Sequence, residues 1–194
     1  MNYSFTDFVK MSYYLVMTKL CFPKARLIRR PIHIRGKKGI VYGAGLTTGH
    51  GCRLDVGADK AVMRFGKDAR LGDYVHINAC REVVIGDNVL MASKIFISDT
   101  SHGRYKGENP VRPDTNPSER ELVCDPVHIG DNVWIGENVV ILPGTTVGSG
   151  CVIGANAVLT GGTFPDNCII VGSPARIVKQ YDEELQQWVR YERC

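Results

Sequence analysis

The sequence predicts an all-β solenoid, a parallel β-helix built from six-residue repeats. Between Ile129 and Phe164 an aliphatic residue returns every six positions, and a glycine follows it in four of the six units. The aliphatic positions are Ile129, Ile135, Ile141, Val147, Ile153 and Leu159. An amphipathic helix would repeat every ~3.6 residues, and a half-buried strand would alternate strictly. A period of six instead fits units of one short strand and one bend, with three units closing a coil.

A second periodic position lies four residues into each unit and also predicts an inward side chain. Every residue there is small or β-branched, as a narrow stacked core requires: Val133, Val139, Thr145, Cys151, Ala157 and Thr163. The corner pairs Asp87-Asn88 and Asp131-Asn132 are residue types that tolerate turn geometry. Coils of this kind contact only their neighbours and must stack to bury a core.

The segments LGDYVH, IGDN, IGDNVWIGEN and VIGAN resemble the hexapeptide-repeat acyltransferases, over roughly residues 65–179. Within that family the sequence is most similar to bacterial enzymes that acetylate surface polysaccharides or sugars. The resemblance implies a left-handed β-helix, whereas parallel crossovers are otherwise nearly always right-handed.

The N-terminal arm, residues 1–38, is basic and is predicted to begin with a helix. Ser4 and Asp7 suit a helix start, and Pro23 ends the pattern. The arm contains nine Lys or Arg against Asp7 alone, a net charge of +8, which leaves −4 for the rest of a chain whose net charge is +4. From residue 4 to about 20 the apolar residues have the spacing of one helix face: Phe5, Phe8, Val9, Leu15, Val16 and Leu20.

Two interpretations of the N-terminal arm stay open. A cap helix can cover the open end of the solenoid, because terminal coils need a polar cover. A basic apolar-faced helix can instead contact anionic membrane lipid or an anionic carrier-linked glycan. The basic residues are not interleaved with aromatic ones, so nucleic acid is not an expected partner.

The solenoid itself is assigned to residues 39–179, with a break in the period at 98–126. That stretch is polar and contains four prolines, and the repeat resumes in register after it. We therefore expect an extruded loop, a type of insertion that often carries function. Residues 180–194 are predicted to form a short C-terminal helix from the spacing of Leu185, Trp188, Val189 and Glu192.

Cysteine usage and the N-terminus favour a cytoplasmic protein. The seven cysteines include no CxxC pair, so reduced thiols are expected rather than a disulfide framework or a zinc site. A signal-peptide pattern is not apparent. The expected location is cytoplasmic, with peripheral contact at the inner membrane face through the N-terminal arm as an open alternative.

His102, at the start of the extruded loop, is the candidate catalytic residue. Histidine exchanges protons near neutral pH, and a sugar hydroxyl needs a base to attack a thioester. The resemblance implies that this histidine deprotonates the acceptor. Other polar residues are candidates for orienting the imidazole or binding the acceptor: Asp99, His76, Asn78, Glu119 and Glu121.

The donor side follows from the resemblance, which implies acetyl-CoA as cosubstrate and no metal. Trp134, at an outward repeat position, matches the family's residue near the pantetheine arm. Ala155 and Thr160 match positions along the coenzyme groove, and Arg176 and Lys179 match basic residues near its phosphates, where cations are physically sensible.

The leading function is an acetyl-CoA-dependent O-acetyltransferase acting on a sugar hydroxyl in O-antigen, capsule or exopolysaccharide synthesis. The expected acceptor is a carbohydrate, with a polymer, a lipid-linked unit and a free glycoside all left open, and the resemblance implies a homotrimer. The alternatives are a xenobiotic or simple-sugar acetyltransferase and a non-catalytic β-helix assembly module. A zinc carbonic anhydrase needs three converging imidazoles, and the five histidines include no closely spaced pair.

Overall fold

The body of the protein is a parallel β-solenoid of about seven coils, seen in a computed structural model that describes residues 4–57 and 60–192. Three sheets run along the solenoid, and a full coil gives one strand to each sheet. Every pairing between successive coils is parallel. The predicted all-β solenoid is therefore confirmed.

The strands fall into three sets. Sheet A contains β1 (Leu27–Ile28), β4 (Thr47–Thr48), β7 (Arg70–Leu71), β10 (Leu90–Met91), β15 (Trp134–Ile135), β18 (Val152–Ile153) and β21 (Cys168–Gly172). Sheet B contains β2 (Ile32–Arg35), β5 (Cys52–Val56), β8 (His76–Ala79), β11 (Phe96–Ser98), β16 (Val140–Ile141) and β19 (Val158–Leu159). Sheet C contains β3 (Ile40–Tyr42), β6 (Val62–Phe65), β9 (Glu82–Ile85), β14 (Val127–Ile129), β17 (Thr145–Val147) and β20 (Gly162–Phe164).

The core consists of aliphatic side chains stacked from coil to coil. In sheet B, each inward residue pairs with its equivalent on the next coil, and all members are buried: Leu54, Ile77, Ile97, Ile141 and Leu159. Burying one such side chain contributes about 1.5–3 kcal/mol. The six-residue period in the sequence therefore corresponds to one continuous hydrophobic core.

The corners after sheet C carry a ladder of side-chain hydrogen bonds. The Asp87 carboxylate accepts from the Lys67 backbone N–H at 2.6 Å, and Asp131 accepts from the Asp87 N–H at 2.7 Å. Asn88 and Asn132, which follow these aspartates, have positive φ angles of 57° and 56°. Asparagine is among the few non-glycine residues that tolerate this region, which explains the repeated Asp-Asn pair.

The N-terminal helix α1 spans Phe5–Cys21 and is capped as the sequence predicts. Ser4 and Asp7 form a capping box, in which the Ser4 hydroxyl accepts from the Asp7 N–H and the Asp7 carboxylate accepts from the Ser4 N–H. A short 3-10 turn covers Lys37–Gly39. Strands β1 and β2 lie within residues 1–38, so the first coil begins earlier than the expected boundary at residue 39. The outward positions of β2 are His33 and Arg35, which obscures the repeat there.

The predicted C-terminal helix is wrong. Two antiparallel strands take its place, β22 (Ala175–Asp182) against β21 and β23 (Gln187–Arg190) against β22. The Asp182 carboxylate accepts from the backbone N–H groups of Glu184 and Leu185 and so closes the turn. The Tyr181 and Trp188 rings pack edge to face across the strands at 5.5 Å. Cross-strand pairs of this kind stabilise antiparallel strands, and Leu185 lies in the turn between them, where it is 59% exposed.

No helix in the described ranges 4–57 and 60–192 is long and apolar enough to cross a bilayer.

Candidate active site

The extruded loop, residues 98–126, leaves the fourth coil between β11 and β14 as an antiparallel hairpin. Its strands are β12 (Thr100–His102) and β13 (Leu122–Cys124), and a 3-10 turn spans Pro117–Glu119. The solenoid resumes at Val127, which pairs with Val83 on the coil before it. The predicted excursion is confirmed, and its two ends are paired with each other rather than free.

Asp99 fixes the root of the extruded loop. Its side chain is fully buried, and its carboxylate accepts three backbone N–H groups from the corner after β8: Cys80 at 2.7 Å, Arg81 at 2.7 Å and Glu82 at 2.8 Å. The Thr100 hydroxyl adds a fourth bond at 2.9 Å. These bonds use both carboxylate oxygens and tie the start of the extruded loop to that corner.

A disulfide between Cys80 and Cys124 joins the same corner to the return strand of the loop. This bond corrects the expectation that the cysteines are reduced thiols. The expectation failed because the two residues are 44 positions apart, and their proximity depends on how far the loop extends. Cys21, Cys52, Cys151 and Cys168 are free, while Cys194 lies outside the described residues.

His102 ends β12 and is exposed to solvent. Its backbone is held by pairing with Leu122 and by the Tyr105 hydroxyl, which donates to the His102 carbonyl at 2.6 Å. Arg120 in turn donates to the Tyr105 hydroxyl at 2.8 Å. Within the described chain no hydrogen bond occupies the imidazole ring. The residue therefore has a fixed backbone and a free ring, as a base that must receive a substrate proton requires.

A strip of polar side chains on sheet B leads to the root of the extruded loop. Asn78 donates to the Thr100 hydroxyl at 3.0 Å, two residues before His102. His76 Nε2 lies 3.3 Å from the Asp55 carboxylate, and its ring packs edge to face on Phe96 at 5.2 Å. Arg53 donates to the same Asp55 oxygen at 2.5 Å. The structure thus brings His76 and Asn78 together beside the loop that carries His102.

Asp55, Phe96 and Tyr105 were not identified from the sequence. Asp55 lies in the Gly-rich early coils where the repeat is degenerate, and its partner His76 is 21 residues away. No local motif signals that pair. Asp55 is 7% exposed, and its Oδ1 atom is buried with no hydrogen-bond partner.

The two candidate glutamates lie on the extruded loop at different distances from the hairpin. Glu119 ends the 3-10 turn, is exposed, and accepts a bond from Asn116 at 3.4 Å. Glu121 precedes β13, and its carbonyl accepts from the Gly103 N–H at 2.8 Å, which places it across from the residue after His102. Glu121 also lines an open groove of about 540 Å³ together with Arg81, Arg104 and Lys106.

Thr160 and Arg176, two of the candidate coenzyme residues, line one cavity of about 600 Å³ near the C-terminal end of the solenoid. Gly161 and Gly162 shape its wall with φ angles of 99° and 90°. A side chain built on Gly162 would meet nothing within 4 Å. Tyr191, just after the β23 strand that was expected to be helical, also lines this cavity.

The other three donor-side candidates lie outside this cavity. Trp134 is 54% exposed on sheet A, where it pairs with Leu90 and Val152 on the adjacent coils. Ala155 is exposed at the corner after β18, and its backbone lies close to Gly136. Lys179 is exposed on β22 opposite Arg190.

The remaining histidines have ordinary partners. His128 Nε2 lies 3.0 Å from the Glu82 carboxylate, and His50 Nδ1 lies 2.8 Å from the Arg30 carbonyl. His33 is exposed in the first coil. Among the residues that the structure describes, no group of three metal-binding side chains converges.

Comparison with known proteins gives a family model and a full-length relative. Residues 126–161 match the model described as bacterial transferase hexapeptide (six repeats). WbbJ of Escherichia coli (strain K12), provisionally named as a lipopolysaccharide biosynthesis O-acetyl transferase, is 40% identical over 188 residues. That match covers 96% of this chain and 95% of WbbJ.

Two solved structures with bound coenzyme superpose on the chain. Galactoside acetyltransferase in complex with coenzyme A does so with a TM-score of 0.55 at 30% identity, covering 71% of this chain and 66% of its own. The hexapeptide-repeat containing acetyltransferase VCA0836 from Vibrio cholerae O1 biovar eltor, complexed with acetyl coenzyme A, has a TM-score of 0.55 at 25% identity. Here the coverage is 89% of this chain and 78% of the other.

Proposed function

The chain belongs to the hexapeptide-repeat acetyltransferases, whose fold is the left-handed parallel β-helix, and we propose that it transfers acetyl groups from acetyl-CoA to a sugar hydroxyl. The single observation that carries the proposal is the position of His102. Its backbone is locked by the β12–β13 pairing and Tyr105, its ring is free, and it adjoins the polar strip of Asn78 and His76.

In the proposed reaction His102 is the general base. The imidazole takes the proton of the sugar hydroxyl while that oxygen attacks the thioester carbonyl carbon. The carbon–sulfur bond then breaks, and the leaving thiolate recovers the proton from the imidazolium, so the histidine ends as it began. Asp99 is a positioning residue in this scheme, because it fixes the corner from which β12 departs. Glu121 is a candidate to orient the ring from across the hairpin.

The residues on the donor side suit acetyl-CoA. Arg176 supplies a cation for phosphate in the cavity shared with Thr160, and the adjacent glycines leave the wall open to close approach. Trp134 presents an aromatic surface on the same face of the solenoid as β18, and Ala155 follows that strand. Lys179 would act from outside the cavity. Bound acetyl-CoA supplies the acetyl group, and these residues only hold and align it.

We propose a role in surface-polysaccharide biosynthesis, supported by the near full-length similarity to WbbJ. The proposed assembly is a homotrimer in which donor and acceptor meet between neighbouring copies, and the exposure of Trp134 supports a site shared in this way. The proposed location is the cytoplasm, where acetyl-CoA is available, with peripheral membrane contact through the N-terminal arm. The alternative acceptors are xenobiotics and simple sugars.

The test is acceptor-dependent release of coenzyme A thiol from acetyl-CoA, with a panel of sugars and oligosaccharides. The wild type is compared with His102→Ala and with His33→Ala, an exposed histidine of the first coil, as the matched control. We expect a loss of roughly 10²–10⁴-fold in His102→Ala, retained acetyl-CoA binding, and no change in His33→Ala. Absence of release with every acceptor, together with absence of acetyl-CoA binding, would favour a non-catalytic assembly module.

A further inference from the structure

Helix α1 packs on the solenoid through one side, and its most exposed apolar residues lie on the other side. The packed side is made of the half-buried and buried helix residues, most of which are three or four positions apart: Asp7, Met11, Tyr14, Met17, Thr18 and Cys21. Thr18 is the one buried helix residue, and its hydroxyl accepts from the Ile28 N–H at 2.8 Å and donates to the Tyr14 carbonyl at 2.6 Å. This contact holds the helix against the first coil at β1.

The opposite side of α1 carries an exposed apolar stripe, defined as Phe5, Val9, Val16 and Leu20. At about 100° per residue these four positions fall within about 60° of one another on the helix surface. Their exposed fractions are 82%, 51%, 58% and 73%. Phe8 and Leu15, at the edge of the stripe, are also exposed. The apolar face predicted from the sequence therefore exists, but it faces away from the solenoid that a cap helix would cover.

An apolar helix face of this size on a water-facing surface indicates a binding surface. At 17 residues the helix is shorter than the ~20 needed to span a bilayer. The helix is long enough to lie along the surface of a bilayer. Helices that lie in the lipid interface combine an apolar side with flanking cations.

The charge of the N-terminal arm favours an anionic lipid bilayer as the partner of the apolar stripe. The N-terminal arm has a net charge of +8 while the rest of the chain has −4. Lys10, Lys19 and Lys24, along the helix and just after it, are all exposed. An isologous contact with the arm of a second copy would bring +8 against +8, whereas an anionic bilayer attracts each cation near its surface.

We propose that α1 lies in the surface of an anionic lipid bilayer, with the apolar stripe immersed and the first coil facing the membrane. This inference deepens the proposed function, on which its biological meaning rests. His102 lies on the hairpin that leaves the fourth coil, and three coil steps of about 4.8 Å place the root of that hairpin about 14 Å beyond the first coil. That distance suits an acceptor whose lipid anchor is in the bilayer and whose acetylated sugar lies a few sugar units from it.

The test measures co-sedimentation of the full chain with vesicles of phosphatidylcholine alone or mixed with phosphatidylglycerol. The test variant is Val9→Ser with Leu20→Ser. The matched control is Val178→Ser with Leu185→Ser, which removes exposed apolar side chains from the C-terminal strands, at the other end of the solenoid from α1. We expect wild type and control to bind the mixed vesicles, less so at high salt, and the test variant to bind at least about tenfold more weakly. Binding to phosphatidylcholine alone should be weak throughout.

Three results would overturn the inference: equal binding to both vesicle types, absence of binding to either, or unchanged binding by the test variant. Light scattering on the same samples identifies the alternative occupant, because a lower assembly mass in the test variant would show that a second copy covers the stripe. Coenzyme A release with a soluble sugar acceptor is measured in parallel. Acetyl transfer without vesicle binding would contradict only the membrane inference. Vesicle binding without acetyl transfer would contradict only the proposed function.

Discussion

The solenoid coils and the extruded loop are stabilised in different ways. In the coils, each inward residue repeats the contacts of its neighbours, as the Leu54–Ile77–Ile97 stack shows. In the extruded loop, position depends on a few unrepeated groups at its root: Asp99, the Cys80–Cys124 disulfide and three strand pairs. The coils are stabilised by many equivalent contacts, whereas the extruded loop, which is proposed to carry the catalytic residue, is held by a few single residues. Mutations in the coils should therefore lower mainly stability, and mutations at the root of the loop should lower mainly activity.

The largest expected effect is in the coil interior. Ile97→Ala removes a fully buried side chain between Ile77 and Ile141 and should lower the free energy of unfolding by about 2–5 kcal/mol. Leu122→Ala, on β13 and 50% exposed, should change it by less than about 0.5 kcal/mol. Urea unfolding followed by circular dichroism measures both. Comparable losses of unfolding free energy in the two variants would mean that side chains in the extruded loop contribute as much to stability as those in the coils.

The disulfide is the next test, because it ties the loop to a coil corner. Cys124→Ser should lower the free energy of unfolding by about 2–4 kcal/mol, the range for a bond that closes a loop of this length. Cys21→Ser, a half-buried free cysteine, is the control. Thiol titration of denatured wild type should find two fewer thiols without reductant than with it. Disulfides are uncommon in the cytoplasm, so the thiol count is a direct check on this bond. Equal counts with and without reductant would show that the extruded loop is held in place without the disulfide.

Asp99→Asn should separate the two regions most clearly. The amide retains the shape of the side chain but replaces one acceptor oxygen with a donor, so that backbone N–H bonds to the Cys80–Glu82 corner are lost. We expect a cost of about 1–3 kcal/mol and a fall in kcat with the KM for acetyl-CoA unchanged. Asp114→Asn, at an exposed loop residue whose carboxylate pairs with Arg112, is the control. Unchanged kcat in Asp99→Asn would remove its positioning role.

The coils could be predicted from the sequence because each repeats the same physical requirement. The period of six, the small second position and the Asp-Asn corners each recur several times, so one degenerate unit does not hide the pattern. The helix start at Ser4 was also readable, since a capping box is local.

The features that were missed depend on contacts that no local sequence motif encodes. The apolar face of α1 was identified correctly, but its direction depends on Thr18 bonding to Ile28, which no helix periodicity encodes. The apolar spacing in the C-terminal segment predicts a helix, whereas the structure pairs Trp188 with Tyr181 across a turn between two strands. Asp55 with His76 and Cys80 with Cys124 are pairs whose spacing follows from coil geometry and loop length rather than from a motif.

The smallest expected effect concerns two thiols inside the coils. Burial raises the pKa of the Cys52 thiol, and likewise that of the Cys168 thiol, to about 11 from an ordinary value of 9.0. The folded state then holds these protons more tightly than the unfolded state, so the stability they contribute is complete below about pH 9 and is lost as pH rises toward 11. Urea midpoints from pH 8 to 11 should fall less in Cys52→Ala with Cys168→Ala than in wild type.

In native protein at pH 8, iodoacetamide should modify Cys21 but neither coil thiol. Rapid modification of Cys52 would show that the coil interior opens as readily as the extruded loop, which would remove the contrast between them.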